Sequence, residues 1–446
     1  MMRKRLLVVI GVLVASAGAS KTAQASFVRE YERYNRQQSE RVIEDIDKEL
    51  QIRIDESKGI KKEGEEESAE TGPGEVPMRR PGGWKVKPKF SVLFTRDSNI
   101  FQSRNDPETE AIFTYIPSVQ ASSTLFDFWK YSTTYEMRYM DYLHFEHNSR
   151  AEHTLTNSVT RKWNRMNLSV ADEFGLFALP TEDDRFKLSA LKSNSLSARL
   201  TYSLGPKTSV SSYYTNQYIS FRNASERASS SQNDTVGIRL THRVAQDMDG
   251  YVDYSYRWSR PPKLPKTHDI NAQQVLFGVE GAVTQKIALS ASVGIVGREF
   301  ALGDDKVKLV AQGVVNYRLS PSTMITGTYQ RDTVPTGAET AADPKDQVFG
   351  VRLNHRMNNR LYLYGGENYR YSESGVIKTV QDVDNPAITT TKEDESYILE
   401  TNLGFRYRLL KNLLLNVDYT FEKIRSELKI DDRISNVTKV ETTYEF

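Results

Sequence analysis

The chain has 446 residues, 38% of them hydrophobic, and no cysteine, and its 60 basic and 58 acidic side chains leave a formal net charge of +2. So polar a composition excludes a bundle of membrane helices. The lack of Cys excludes a disulfide framework, a thiolate metal site, a cysteine nucleophile and a lipid-bearing cysteine. A net charge this close to zero gives no field directed at nucleic acid.

Arg3, Lys4 and Arg5 precede an apolar run from Leu6 to Val14 and a stretch of small residues that closes on Ala23-Gln24-Ala25. Residues 1–25 therefore read as a secretory signal peptide cleaved after Ala25. The run is too short to span, since a bilayer core needs about 20 apolar residues. Residues 26–55 are predicted to form an amphipathic periplasmic helix. Val42, Ile46, Leu50 and Ile54 recur at four-residue intervals beside Ile43, while Arg41, Glu44, Asp45, Lys48 and Glu49 take the other faces. Residues 56–83, with the acidic run Glu65 to Glu67 and Gly72-Pro73-Gly74, have the composition of a disordered linker.

From Trp84 to the last residue the period is two. Trp84, Val86, Pro88, Phe90, Val92 and Phe94 alternate with Lys85, Lys87, Lys89, Ser91, Leu93 and Thr95. The same alternation sets Tyr135, Met137 and Tyr139 against Glu136 and Arg138, and Leu399, Thr401, Leu403, Phe405 and Tyr407 against Glu400, Asn402, Gly404 and Arg406. Strands with one apolar and one polar face, separated by turns, are the signature of a transmembrane β-barrel over residues 84–446.

The turns come in two alternating kinds. Short ones sit near Arg165, Gly205-Pro206, Asp247 to Gly250, Gln285-Lys286, Ser320 to Ser322, Asn358-Asn359 and Lys411-Asn412. Longer polar loops are expected at Asp97 to Glu110, Phe174 to Lys192, Arg222 to Gln232, Arg260 to His268, Pro335 to Lys345, Gly375 to Glu393 and Leu428 to Ile434. Short periplasmic turns and longer extracellular loops place both chain ends in the periplasm. The count of segments predicts an all-β, antiparallel, single-chain barrel of about 18 strands, a size that leaves an aqueous channel.

A Lys or Arg facing lipid costs about 2–4 kcal/mol at the bilayer midplane, so charges on the polar parity are expected to line the lumen. They are Glu136, Arg138, Arg199, Arg239, Arg243, Asp253, Arg257, Glu280, Arg298, Arg318, Arg352, Glu400, Arg406, Asp418 and Glu422. Arg161, Asp172 and Arg331 share parity with apolar neighbours and are expected near strand ends, where that cost falls to about 0–1 kcal/mol. Residues 361–371 alternate too poorly to assign a facing. Trp84, Trp129, Trp163 and Trp258 fall near expected strand ends, as interfacial girdles require.

Tyr444 and the terminal Phe446 close the last segment. An aromatic end of this kind resembles the signal by which the barrel assembly machinery recognises outer-membrane barrels. No catalytic constellation stands out. His144 and His147, the one close histidine pair, suit neither a helix-borne zinc motif nor a strand face and are placed in a loop, so no metal or other cofactor is expected.

The segment Phe90 to Phe101, followed by Ile112 to Pro117, resembles the opening hairpin of an outer-membrane β-barrel porin family associated with exopolysaccharide export. That resemblance implies a terminal conduit for a secreted polysaccharide, set among outer-membrane lipid and lipopolysaccharide and working with a periplasmic polysaccharide-export protein. The residues fit a diffusion porin for small solutes equally, because Tyr135, Tyr202, Tyr254 and Tyr407, which could stack on sugars, carry the lipid-facing parity. A barrel enzyme, or a structural or adhesive barrel, completes the alternatives.

Overall fold

A strand that buries one face still leaves its backbone N–H and C=O groups in need of partners on both edges, and in a bilayer only closure of the sheet supplies them all. The chain meets this demand. The computed structural model describes residues 83–100, 107–126, 128–180, 188–221, 230–260, 269–300, 306–331, 345–381, 389–426 and 432–445. The signal peptide with Ala23 and Ala25, the N-terminal helix, most of the linker and Phe446 lie outside them.

The strands are β1 (Lys85–Asp97), β2 (Glu110–Leu125), β3 (Trp129–Tyr142), β4 (Arg150–Lys162), β5 (Met166–Pro180), β6 (Leu188–Ser203), β7 (Thr208–Phe221), β8 (Ser231–Ala245) and β9 (Met248–Arg260). They continue as β10 (Ile270–Ala282), β11 (Ile287–Phe300), β12 (Lys306–Ser320), β13 (Thr323–Arg331), β14 (Lys345–Arg356), β15 (Leu361–Gln381), β16 (Thr389–Leu410), β17 (Leu413–Ser426) and β18 (Arg433–Glu445). Each pairs antiparallel with its neighbours in the chain, and β18 returns to pair with β1, so the 18-stranded sheet is closed. Among the described residues no helix is long and apolar enough to cross a membrane.

At the seam the register runs from Lys89↔Glu445 to Asp97↔Val437, whereas β1 pairs with β2 from Lys85 onward. Pro88 thus occupies the stretch of β1 that β18 does not reach, where its missing N–H breaks no ladder bond on that side. Side chains reinforce the closure. Ser91 Oγ and Thr443 Oγ1 lie 2.7 Å apart, Ser435 Oγ donates to Asp97 Oδ1 at 2.9 Å, and Asn99 Nδ2 donates to the carbonyl of Ile434 at 3.3 Å.

The short turns cap themselves. Asn358 Oδ1 accepts the N–H groups of Arg360 (2.8 Å) and Leu361 (2.9 Å), and Thr284 Oγ1 accepts those of Lys286 (3.1 Å) and Ile287 (3.0 Å). Asx and ST turns of this kind turn the chain within a few residues.

Two expected loops are shorter than their sequence implies, because β5 runs on to Pro180, β6 starts at Leu188, β15 reaches Gln381 and β16 starts at Thr389. Pairs such as Leu176↔Lys192 and Lys378↔Lys392 continue the ladder where no apolar face marks it, since backbone pairing itself needs no apolar side chain. Neither the β2–β3 turn nor the β3–β4 loop carries a Gly or Pro signal. The β2–β3 turn puts Phe126 at φ 52°, and the β3–β4 loop holds a single 3-10 turn, Glu146–Asn148.

Candidate functional site on the polar face of the barrel

Because direct cross-strand partners share a face, the register can be followed strand by strand around the closed sheet. Every charged residue assigned to the polar parity falls on one continuous face. Arg138 pairs with Glu152, Arg199 with Tyr213, Arg239 with Asp253, Arg243 with Asp249, and both Arg257 and Arg298 with Ala272. Glu280 pairs with Ser290, Arg318 with Met324, Arg352 with Gly366, Arg406 with Tyr362, Asp418 with Gly404, Glu400 with Glu422, and Glu136 with Thr154.

The two faces differ in crowding. Phe277, Ile295, Val351 and Leu403 on the apolar parity are 55–59% exposed, while Asp253, Arg298, Asn316 and Thr443 on the polar parity are 1–3% exposed. Side chains converge on the concave side of a barrel and splay apart on the convex side. Tyr444 carries the apolar parity, opposite Leu413 and Phe90.

Two tyrosine clamps organise the polar face. Tyr213 stands directly opposite Gly237, and a Cβ there would overlap its ring. The bare glycine lets the ring lie flat across β8, so that its hydroxyl donates to Asp253 Oδ1 on β9 at 2.7 Å. Arg239 Nε donates to Asp253 Oδ2 at 2.8 Å, and its guanidinium lies 4.2 Å from the Tyr251 ring centroid. The second clamp repeats the design. Tyr364 faces Gly404 and its hydroxyl donates across it to Asp418, while Arg406 Nε donates to Asn416 Oδ1 at 2.9 Å and Asn416 Nδ2 to Glu441 Oε2 at 3.3 Å. Parity pointed to the charges but missed these tyrosines. The signal that could have found them is a Tyr on the polar parity with a Gly on the next strand.

The long-loop end carries an anchor of its own. Glu110, fully buried, accepts the N–H groups of Ala111 (2.7 Å), Phe145 (2.9 Å) and His144 (3.2 Å), and so ties the β3–β4 loop to the first residue of β2. His144 and His147 sit in that loop. Among the described residues no cluster of three His, Asp or Glu could hold a metal.

Several expectations about the apolar face change. Asp172 lies in the middle of β5, not near its end; it pairs with Asn157 and accepts Asn194 Nδ2 at 2.8 Å, so its charge sits in a polar patch instead of at a rim. Arg161 does lie at a strand end, with its guanidinium 4.2 Å, 4.9 Å and 4.5 Å from the ring centroids of Phe128, Trp129 and Trp163. Arg331 ends β13. The facing of 361–371 is now settled by register. Tyr362 and Tyr364 join Arg406 and Gly404 on the polar face, which leaves Leu361, Leu363, Glu367, Tyr369 and Tyr371 on the other. Tyr135, Tyr202, Tyr254 and Tyr407 keep the apolar parity, opposite Leu155, Val210, Ile238 and Leu361.

No family model and no curated protein matches the chain. Solved structures do match along most of its length, at low identity. OccAB3 of Acinetobacter baumannii is 12% identical over 81% of this chain and 99% of its own, with a TM-score of 0.45. Pseudomonas aeruginosa OccK2 (OpdF) is 10% identical over 81% and 97%, with a TM-score of 0.48. The FrpB iron transporter of Neisseria meningitidis is 8% identical over 77% and 63%, with a TM-score of 0.45. None reaches a TM-score of 0.5, so the fold and the site rest on this chain's own geometry.

Proposed function

We propose that the chain forms a water-filled pore in the outer membrane of a Gram-negative bacterium and passes small polar solutes. One observation carries this reading. The closed 18-stranded sheet sorts its charges onto the crowded face and its large apolar side chains onto the exposed one. A barrel of 16–18 strands is wider than its own side chains can fill, and an apolar outer belt suits a bilayer. On this reading the charged residues of the polar face, from Glu136 to Glu422, line the lumen. The short turns lie in the periplasm and the longer connections outside.

The pore needs no cofactor or partner for conduction, and lipid, with lipopolysaccharide in the outer leaflet, is its solvent. No observation favours the polysaccharide conduit over this reading. Among the described residues the polar-face tyrosines are Tyr142, Tyr213, Tyr251, Tyr362 and Tyr364, on four separate strands, and Tyr213 and Tyr364 are engaged by Asp253 and Asp418. The experiment that tests the proposal is swelling of liposomes containing the refolded full chain in isotonic solutions of sugars and amino acids of graded size. Swelling that falls off with solute size supports a diffusion pore; liposomes that stay as tight as empty ones contradict it.

A further inference from the structure

The whole chain is almost neutral, yet its charges are not evenly spread over the polar face. At the short-turn end of the barrel, β1 carries Lys85, Lys87 and Lys89 on the polar parity, all exposed. The cross-strand partners of the first two are neutral, since Lys85 faces Ser122 and Lys87 faces Gln120, and β18 does not reach either. The pattern recurs around the rim. Lys130 at the start of β3 faces Thr160, Lys162 at the end of β4 faces Asn167, Arg356 at the end of β14 faces Tyr362, and Arg408 near the end of β16 faces Leu414. All four are exposed.

Acids at this rim are few and engaged. Glu445 stands opposite Lys89, Asp249 lies 3.6 Å from Arg243 and opposite Glu280, and Glu441 accepts Asn416 Nδ2 at 3.3 Å. The other end of the same face differs in carrying paired and buried carboxylates among its bases, of which Arg257 and Arg298 stand opposite Ala272. Arg150 Nε lies 3.1 Å from Glu152, and Asp97 and Glu110 add buried carboxylates there.

We infer that this collar of unneutralised lysines and arginines makes the pore prefer anions, selecting them at the short-turn mouth. The inference rests on the pore reading above. A ring of like charge around an aqueous opening raises the local concentration of counter-ions and depletes co-ions, and the low-dielectric wall focuses that field into the lumen. Ser122, Gln120, Thr160, Asn167 and Tyr362, opposite collar residues, can hydrogen-bond a passing carboxylate or phosphate without competing for it as counter-charges. Weak, solvated contacts of this sort let an anion leave as readily as it enters. Small organic and inorganic anions are therefore the solutes the mouth would gather.

The test is reconstitution of the full chain in a planar lipid bilayer, with the zero-current potential measured across a KCl gradient. Chloride should be more permeant than potassium by about threefold or more at low salt, and the preference should shrink as the Debye length falls from ~10 Å at 0.1 M to ~3 Å at 1 M. Replacing Lys85, Lys87 and Lys89 together by Glu should shift the preference toward potassium while unitary conductance steps persist, which shows that the barrel still inserts. Steps with no anion preference, or a preference untouched by the triple substitution, would overturn the inference and leave the pore intact. Absence of any steps with the unaltered chain would overturn the pore reading and this inference with it.

Discussion

Strands β7–β9 and β10–β12 adjoin along the β9–β10 ladder, yet their polar-parity faces are made of different material. On β7–β9 that face holds Tyr213, Arg239 and Asp253 in one hydrogen-bonded network, with the Arg239 guanidinium against the Tyr251 ring. On β10–β12 it holds Ala272, Leu276, Val296 and Val310 in an aliphatic cluster, with Val310 1% exposed. The difference teaches that alternation fixes which side a residue takes but not what that side must be. A barrel wall needs an apolar exterior along every strand, whereas its interior can be wet on one stretch and dry on the next. Where both faces are apolar the two-residue pattern fades, as in Val275-Leu276-Phe277.

The comparison can be broken most forcefully at Asp253. Asp253→Ala strands the Arg239 guanidinium and the Tyr213 hydroxyl on a crowded face, and removing one partner of a buried pair costs about 3–5 kcal/mol. Arg239 keeps part of its side chain in contact with solvent, so we expect about 3 kcal/mol, read from urea unfolding out of lipid vesicles. Unfolding unchanged from the parent chain would show that water replaces the network at no cost.

The opposite face of the dry region gives the next effect. Phe277 is 57% exposed on the apolar parity of β10. Phe277→Arg should lower stability in a bilayer by about 2–4 kcal/mol if it sits near the midplane, and far less in detergent, where the head group escapes more easily. Equal losses in the two media would contradict the assignment of that face to lipid.

Val310→Ala probes the aliphatic cluster itself. Two fewer buried carbons remove about 1.5 kcal/mol at ~0.8 kcal/mol each, provided the wall is dry there. A neutral result would place water against β12. The smallest effect belongs to Arg161, which stacks among Phe128, Trp129 and Trp163 at the short-turn rim. Arg161→Ala should cost about 1 kcal/mol in the same unfolding assay, while Arg161→Lys should recover only part of it.

Much of this architecture was legible in the residues. The run from Leu399 to Tyr407 alternates cleanly between an apolar and a polar face, and the strand number followed from such runs and their turns. The charged residues of the polar face were legible too, since a charge at the wrong parity is costly.

What was not legible has physical causes. The outer parts of β5, β6, β15 and β16 extend the ladder without an alternating apolar face, so they read as loops. Residues 361–371 read as undecided because Tyr362 and Tyr364 are aromatic yet share the polar face, a placement that for Tyr364 depends on Gly404 and Asp418, far along the chain. Asp172 was placed at a rim because a lone carboxylate would be costly elsewhere, and Asn157 and Asn194 on flanking strands show how it is accommodated. The polysaccharide conduit came from a resemblance confined to the first hairpin, and the rest of the barrel adds nothing that selects a polymer.

The central claim is that the crowded, charged face encloses continuous water. Single-channel recording of the full chain in a planar bilayer tests it most directly. Discrete, long-lived conductance steps that scale with bulk salt concentration are the predicted result. A bilayer that stays silent after verified insertion of the folded barrel would contradict it.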